Sequence, residues 1–150
     1  MSIVKLLQDH ELAPEAAAVF TDIRAVRKTD FVNNFWRALA HDPALLKRTW
    51  ESIKQVMAPG AIDPLTKEMI YIAVSAAQSC EYCVRSHTAA ARAKGITDQQ
   101  LMELASVIGM AAETNRLALA LQVPVRAGQE RKSAHRLTTT GLARHWIVAI

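Results

Sequence analysis

The strongest constraint on the fold is a recurring pattern of helix starts and stops. Asp42-Pro43 offers a capping carboxylate and then a proline at the first helical position, where a missing N–H costs nothing, and Pro59-Gly60 stops the run that follows. Asp63-Pro64 repeats the opening at once. Gly95 reads as a C-cap, Thr97 with Gln100 as a capping box, and Pro124 as the end of the last helix. Between these marks apolar residues recur at helical spacing, as with Val19, Phe20, Ile23 and Val26 in 14–28. Helices are expected over 14–28, 32–40, 43–57, 64–78, from the cysteines to Gly95, and over roughly 98–121. Strand patterns are nearly absent, so the chain is predicted to be all-α with about six helices. Residues 64–78 are apolar almost all round, through Leu65, Met69, Ile70, Ile72, Ala73, Val74, Ala76 and Ala77, which predicts burial. Gly109 inside the last helix costs about 1 kcal/mol relative to alanine, which close packing against another helix would explain.

A chain of 150 residues fits one domain and can bury a core without disulfide staples. The N-terminal stretch carries Asp9 and Glu11 and no long apolar run, so neither a signal peptide nor a membrane span is expected, and the cytoplasm is the expected location. The net charge of +4 is not spread over the molecule. Residues 1–123 are balanced, while Arg126, Arg131, Lys132, Arg136 and Arg144 in the tail face only Glu130. Without a basic stripe in the body, no nucleic-acid surface is expected. Within the tail, 128–141 is polar and irregular and 142–150 is apolar enough to dock somewhere.

The chemistry concentrates in 80-CEYCVRSH-87, which holds both cysteines of the chain. On a helix, residues three, four and seven apart share a face, so Cys80, Cys83 and His87 form one stripe. Ser79 is a candidate N-cap. It would put both cysteines in the first turn, where free N–H groups and the helix dipole favour thiolate, with Arg85 as a further positive charge. Glu68 is a carboxylate inside the most apolar helix, and desolvation is expected to raise its pKa toward the range of a general base. In one continuous helix, Glu68 would lie about 18 Å from Cys80. Cooperation therefore requires a break near 78–80. Inert core cysteines and a zinc site are the competing readings of these residues. The c-type haem signature is excluded by Val84 after Cys83, and a thioredoxin-like fold is disfavoured by the missing βαβ pattern. His10, His41, His135 and His145 read as surface or capping residues, Trp36, Trp50 and Trp146 as packing or interface residues, and Asn115-Arg116 as structural.

Glu68, eleven residues, Cys80-x-x-Cys83, three residues and His87 together form a signature. It resembles the E-x(11)-C-x-x-C-x(3)-H pattern of the alkylhydroperoxidase D (AhpD)-like branch of the carboxymuconolactone decarboxylase superfamily. The Asp-Pro-Leu opening at 63–65, 88-TAAARAKGIT-97 and 114-TNRLALAL-121 are similar to it as well. The resemblance covers roughly residues 30–124. It implies a helical domain over 1–124, with its core at about 30–124, followed by a basic tail over 125–150.

What the resemblance implies for function is a thiol-dependent hydroperoxide reductase of peroxiredoxin type. Cys83 would be the peroxidatic nucleophile, Cys80 the proton donor and resolving thiol, and Glu68 and His87 a proton relay with Glu68 as its base. No cofactor is implied beyond a redox-active Cys80–Cys83 disulfide, reduced by an external lipoyl or thioredoxin-like dithiol. The substrate would be an alkyl hydroperoxide or another small peroxide. Subunits would form a homo-oligomer, a hexameric trimer of dimers rather than a trimer. The family's best-known member has a further relay histidine just before the second cysteine, where this chain has Tyr82, a possible catalytic residue. A phenol with a pKa of about 10 is a poor base at neutral pH. That keeps a disulfide adaptor passing electrons to a partner protein as the alternative, with lactone decarboxylase chemistry third because it uses no CxxC pair.

Overall fold

The computed structural model describes residues 2–125, and the 126–150 part of the basic tail, with His135, His145 and Trp146, lies outside them. After a short 3-10 turn at Asp9–Glu11 come six helices: α1 (Pro14–Arg27), α2 (Asn34–Leu39), α3 (Pro43–Met57), α4 (Pro64–Ala77), α5 (Glu81–Ala93) and α6 (Asp98–Ala120). Among the described residues there is no strand, as the sequence predicts.

The starts and stops act as their chemistry requires. Asp42 accepts from the Leu45 N–H at 3.0 Å and Asp63 from the Thr66 N–H at 2.9 Å, with a proline next in each case. Thr97 and Gln100 exchange both bonds of the capping box, at 3.1 and 2.9 Å. Each such cap stabilises its helix by about 1 kcal/mol. Gly95 ends α5 with a φ of 90°, and the Ile96 N–H closes back on the Ala91 carbonyl at 3.1 Å.

Two apolar clusters result. α1 buries Ala16, Val19, Phe20 and Ile23, one stripe of an amphipathic helix, against Val32, Trp36 and Ala40 from the α2 region and Leu46 and Trp50 from α3. Trp36 and Trp50 meet edge to face at 5.5 Å, and the Arg27 guanidinium lies over both rings. The Trp50 indole N–H donates to Asp22 at 2.6 Å, so both tryptophans are packing residues. The second cluster joins Ile72 of α4 to Ala91 and Ile96, with Leu101 and Leu104 of α6 against it. α4 and α5 form a tight helical hairpin, and the active region is built on it.

Two expectations need correction. α4 is not buried all round: Glu68, Ile72 and Ser75 are buried, while Ile70 and Val74 are about half exposed. Among the described residues Gly109 has no close neighbour, since a Cβ there would meet nothing within 4 Å. Both follow from α6, which covers α4 at one edge only and leaves Met102, Val107, Met110 and Leu117 in the open. No helix among the described residues is long and apolar enough to cross a membrane.

Candidate active site

The break that cooperation demands lies between α4 and α5. Ser79 takes a left-handed conformation, φ 57°, although it is not glycine. Its N–H bonds the Ala76 carbonyl at 3.1 Å, and that of Cys80 bonds the Ser75 carbonyl at 2.9 Å. This pair of bonds satisfies the last carbonyls of α4 and reverses the chain within three residues. Ser79 is therefore the C-terminal turn of α4, not the N-cap of α5. Cys80 takes that place, and its Sγ accepts from the Cys83 N–H at 3.3 Å.

The capping position gives the cysteines their chemistry. Cys83 stands third in α5, in the first turn, where the dipole and unpaired N–H groups stabilise negative sulfur. The two sulfurs are joined as a disulfide with Cα atoms 5.3 Å apart. Both residues are half-buried, and an open cleft of about 320 Å³ borders Cys80, walled by Ser75, Ala76, Ser79 and Val84. Arg85 and Glu81 line the same cleft, but Arg85 does not add free positive charge beside the thiols, because the two pair at 2.7 Å.

Glu68 faces α5 across the hairpin. Its Oε2 lies 2.7 Å from His87 Nδ1, and its Oε1 accepts from Lys94 Nζ at 2.9 Å. In a continuous helix the nineteen steps from Glu68 to His87 would separate them by about 28 Å. The hairpin replaces that distance by a hydrogen bond. The His87 ring also stacks on Tyr71, centroids 3.6 Å apart and planes within 17°.

The expected rise in the Glu68 pKa does not occur. Burial pushes the carboxyl upward and is the largest single influence, but the hydrogen bonds from His87 and Lys94 and their charges together hold it below the ordinary range. Glu68 is thus a buried carboxylate kept ionised, not a neutral acid. Tyr82 is placed apart from this pair: its hydroxyl accepts from the Phe35 N–H at 3.1 Å and, with the Asn33–Ser86 bond at 3.2 Å, ties α2 to α5.

Glu68 and His87 are brought into contact, Cys80 and Cys83 are bonded, and His87 follows Cys83 by one turn on the same stripe. Lys94 and Tyr71 escaped the sequence reading. Their signals were present: Lys94 is seven residues after His87 and continues its stripe, and Tyr71 is three residues after Glu68 on α4. Among the described residues no three His, Cys, Asp or Glu side chains converge as a metal cage would require.

Comparison with known proteins gives the site a context. A model of the carboxymuconolactone decarboxylase family matches residues 43–125. The crystal structure of the alkylhydroperoxidase AhpD core from Rhodospirillum rubrum superposes with a TM-score of 0.83 at 61% identity, covering 85% of this chain and 96% of that one. A Paracoccus denitrificans protein named "Uncharacterized protein 4 in cox locus" is 42% identical over 60 residues, which is 40% of this chain. The match spans about half the length of that curated relative, 51%.

Proposed function

This chain belongs to the carboxymuconolactone decarboxylase family and is AhpD-like, and from that premise we propose that it is a thiol-dependent hydroperoxide reductase. The observation that carries the proposal is the Cys80–Cys83 disulfide at the N-terminus of α5, one turn before a histidine held by a buried carboxylate. A lactone decarboxylase has no use for such a pair.

The cycle balances in three steps. The Cys83 thiolate attacks a peroxide oxygen, the O–O bond breaks, and the leaving alkoxide takes a proton to become an alcohol, while Cys83 becomes a sulfenic acid. The Cys80 thiol displaces water from that sulfenic acid and forms the disulfide. An external dithiol, a lipoyl group or a thioredoxin-like protein, then exchanges with the disulfide and is itself oxidised, returning two thiols. The Glu68/His87 pair takes the thiol proton and delivers it to the alkoxide. Cys83 is the nucleophile, Cys80 the resolving thiol.

The cytoplasm is the location that suits this cycle, because reducing equivalents are available there. A homo-oligomer, a trimer of dimers, completes the reading. It is supported by the apolar face left open by Ile70 and Val74 on α4 and by Val107, Met110 and Leu117 on α6. Sedimentation equilibrium that returns a monomer at micromolar chain removes that part.

One observation favours a second reading. Tyr82 stands where a relay histidine would strengthen activation, and its hydroxyl is engaged with backbone. A disulfide adaptor that exchanges quickly with a partner and reacts slowly with peroxide follows from it. The deciding experiment mixes reduced protein with an alkyl hydroperoxide and follows thiol loss. The reductase reading expects Cys83→Ser to abolish turnover and Cys80→Ser to allow one event ending in sulfenic acid. Wild-type protein that keeps both thiols in excess peroxide yet exchanges rapidly with a lipoyl disulfide makes it an adaptor.

A further inference from the structure

Glu68 has two carboxylate oxygens, and both are taken, one by His87 and one by Lys94. Its side chain is 7% exposed, so the two protein partners dominate the surroundings of the carboxylate. An ionised carboxylate only accepts hydrogen bonds, so the imidazole nitrogen facing it must carry the hydrogen. His87 is then the Nδ1–H tautomer, with the lone pair on Nε2. A protonated Glu68 could donate to Nδ1 instead and reverse the ring. The site depends on which of these two states persists.

Burial alone favours the protonated acid, and the polar groups around the carboxylate oppose it. His87 and Lys94 reach Glu68 from α5, and Arg27 of α1 lies within electrostatic range. From α6 the apolar Leu101 and Leu104 pack against the neighbouring Ile72 cluster, and no charged group of α6 acts on Glu68. His87 must change charge when it takes a proton, so it cannot be the group that keeps Glu68 ionised throughout. Lys94 is in direct contact and takes no part in that proton transfer. Its place at the C-cap of α5, just before the left-handed Gly95, brings its chain back over α4.

We propose that Lys94 and Tyr71 are positioning residues of the site: Lys94 holds Glu68 as an anion through its second oxygen, which commits His87 to Nδ1–H with Nε2 as the proton acceptor, and Tyr71, stacked on the ring, fixes its plane. The use made of Nε2 rests on the reductase reading. The tautomer itself does not. In that use, Nε2 takes the thiol proton and gives it to the departing alkoxide, with the imidazolium lying beside the Glu68 carboxylate in between.

The test uses the reduced full chain labelled with 15N-histidine, reading the His87 tautomer by NMR through two-bond nitrogen-carbon-proton correlations. Wild type and Lys94→Arg are expected to show Nδ1 as the protonated nitrogen of the neutral ring. Lys94→Met is expected to lose that single tautomer, and its peroxide-driven thiol loss to fall on the order of tenfold on the acid side of the profile, recovering at higher pH as the acid limb moves upward. Tyr71→Leu is expected to keep the tautomer and slow thiol loss at every pH. Should Lys94→Met fail to fold, Lys94→Gln, which retains a neutral donor, is expected to show the same shift in smaller degree. A methionine or glutamine variant with the wild-type tautomer and an unmoved pH profile overturns the assignment. If wild type itself ignores peroxide, the reductase reading fails, while the NMR result still decides the role of Lys94.

Discussion

Replacing Glu68 by glutamine keeps the shape of the side chain and removes its charge. Glutamine presents one acceptor oxygen and one donor nitrogen, whereas Glu68 accepts on both sides, from Lys94 and His87. If the amide oxygen serves Lys94, the amide N–H faces His87 Nδ1 and demands the opposite tautomer. If it serves His87, the amide N–H faces an ammonium. One charge-assisted bond is lost in either case, at a cost of about 2 kcal/mol for a group buried as this one is. For a chain of this size that lowers the melting temperature by roughly 4–8 °C. The pH dependence discriminates further. Glu68 is held below its ordinary pKa, so the folded protein binds that proton more weakly than the unfolded chain does. The stabilisation is therefore complete above the ordinary carboxyl range and disappears as the pH falls through the lower folded value. Urea unfolding of wild type and Glu68→Gln, at one protein concentration and at pH 7, 5 and 3.5, should show a gap that is widest at pH 7 and closes in acid. Equal stability at pH 7, or a gap that widens as the pH falls, refutes the claim that Glu68 is a paired anion.

Ser79 holds a left-handed backbone conformation that costs a side-chain-bearing residue about 1 kcal/mol or more, so Ser79→Gly is expected to stabilise the protein by about 0.5–1 kcal/mol in denaturant unfolding. A destabilised glycine variant would show that the serine side chain itself supports the turn. Tyr82→Phe removes the acceptor of the Phe35 N–H and should cost about 1 kcal/mol of stability with little effect on the rate of thiol loss. A rate lower by about 100-fold or more would return the phenol to the proton relay.

Helix boundaries were legible because their chemistry is local. The carboxylates of Asp42 and Asp63 and the Thr97–Gln100 exchange lie within three residues of the groups they satisfy, so sequence spacing suffices to find them. The family signature was legible for a related reason, since the four residues have fixed spacings on two adjacent helices. The break that unites them was required by geometry but could not be assigned to a residue. Nothing in the propensity of serine favours a left-handed turn, and the hydrogen bonds around Ser79 impose it. The error over the Glu68 pKa came from the same source. Apolar neighbours within α4 are visible in the sequence, whereas the two partners on α5 become neighbours only when the hairpin closes.

The all-round apolar character of α4 shows where periodicity loses its discriminating power. A helix with no polar face satisfies two different situations, burial within its own chain and burial beneath another. In this chain Ile72 and Glu68 are covered from α5 and α6, while Ile70 and Val74 point away from that cluster and remain about half exposed. Among the described residues nothing packs on Gly109, so its cost of about 1 kcal/mol in a helix is not offset there. An apolar surface of this extent is costly to leave in water, at about 25 cal/mol for each Å². In the oligomer proposed above, the open faces of α4 and α6 are the surfaces that association would cover. The hydrophobic pattern of 64–78 reads as burial all round, whereas within the described residues only the face carrying Glu68, Ile72 and Ser75 is buried, because periodicity cannot say which face a neighbouring helix will cover.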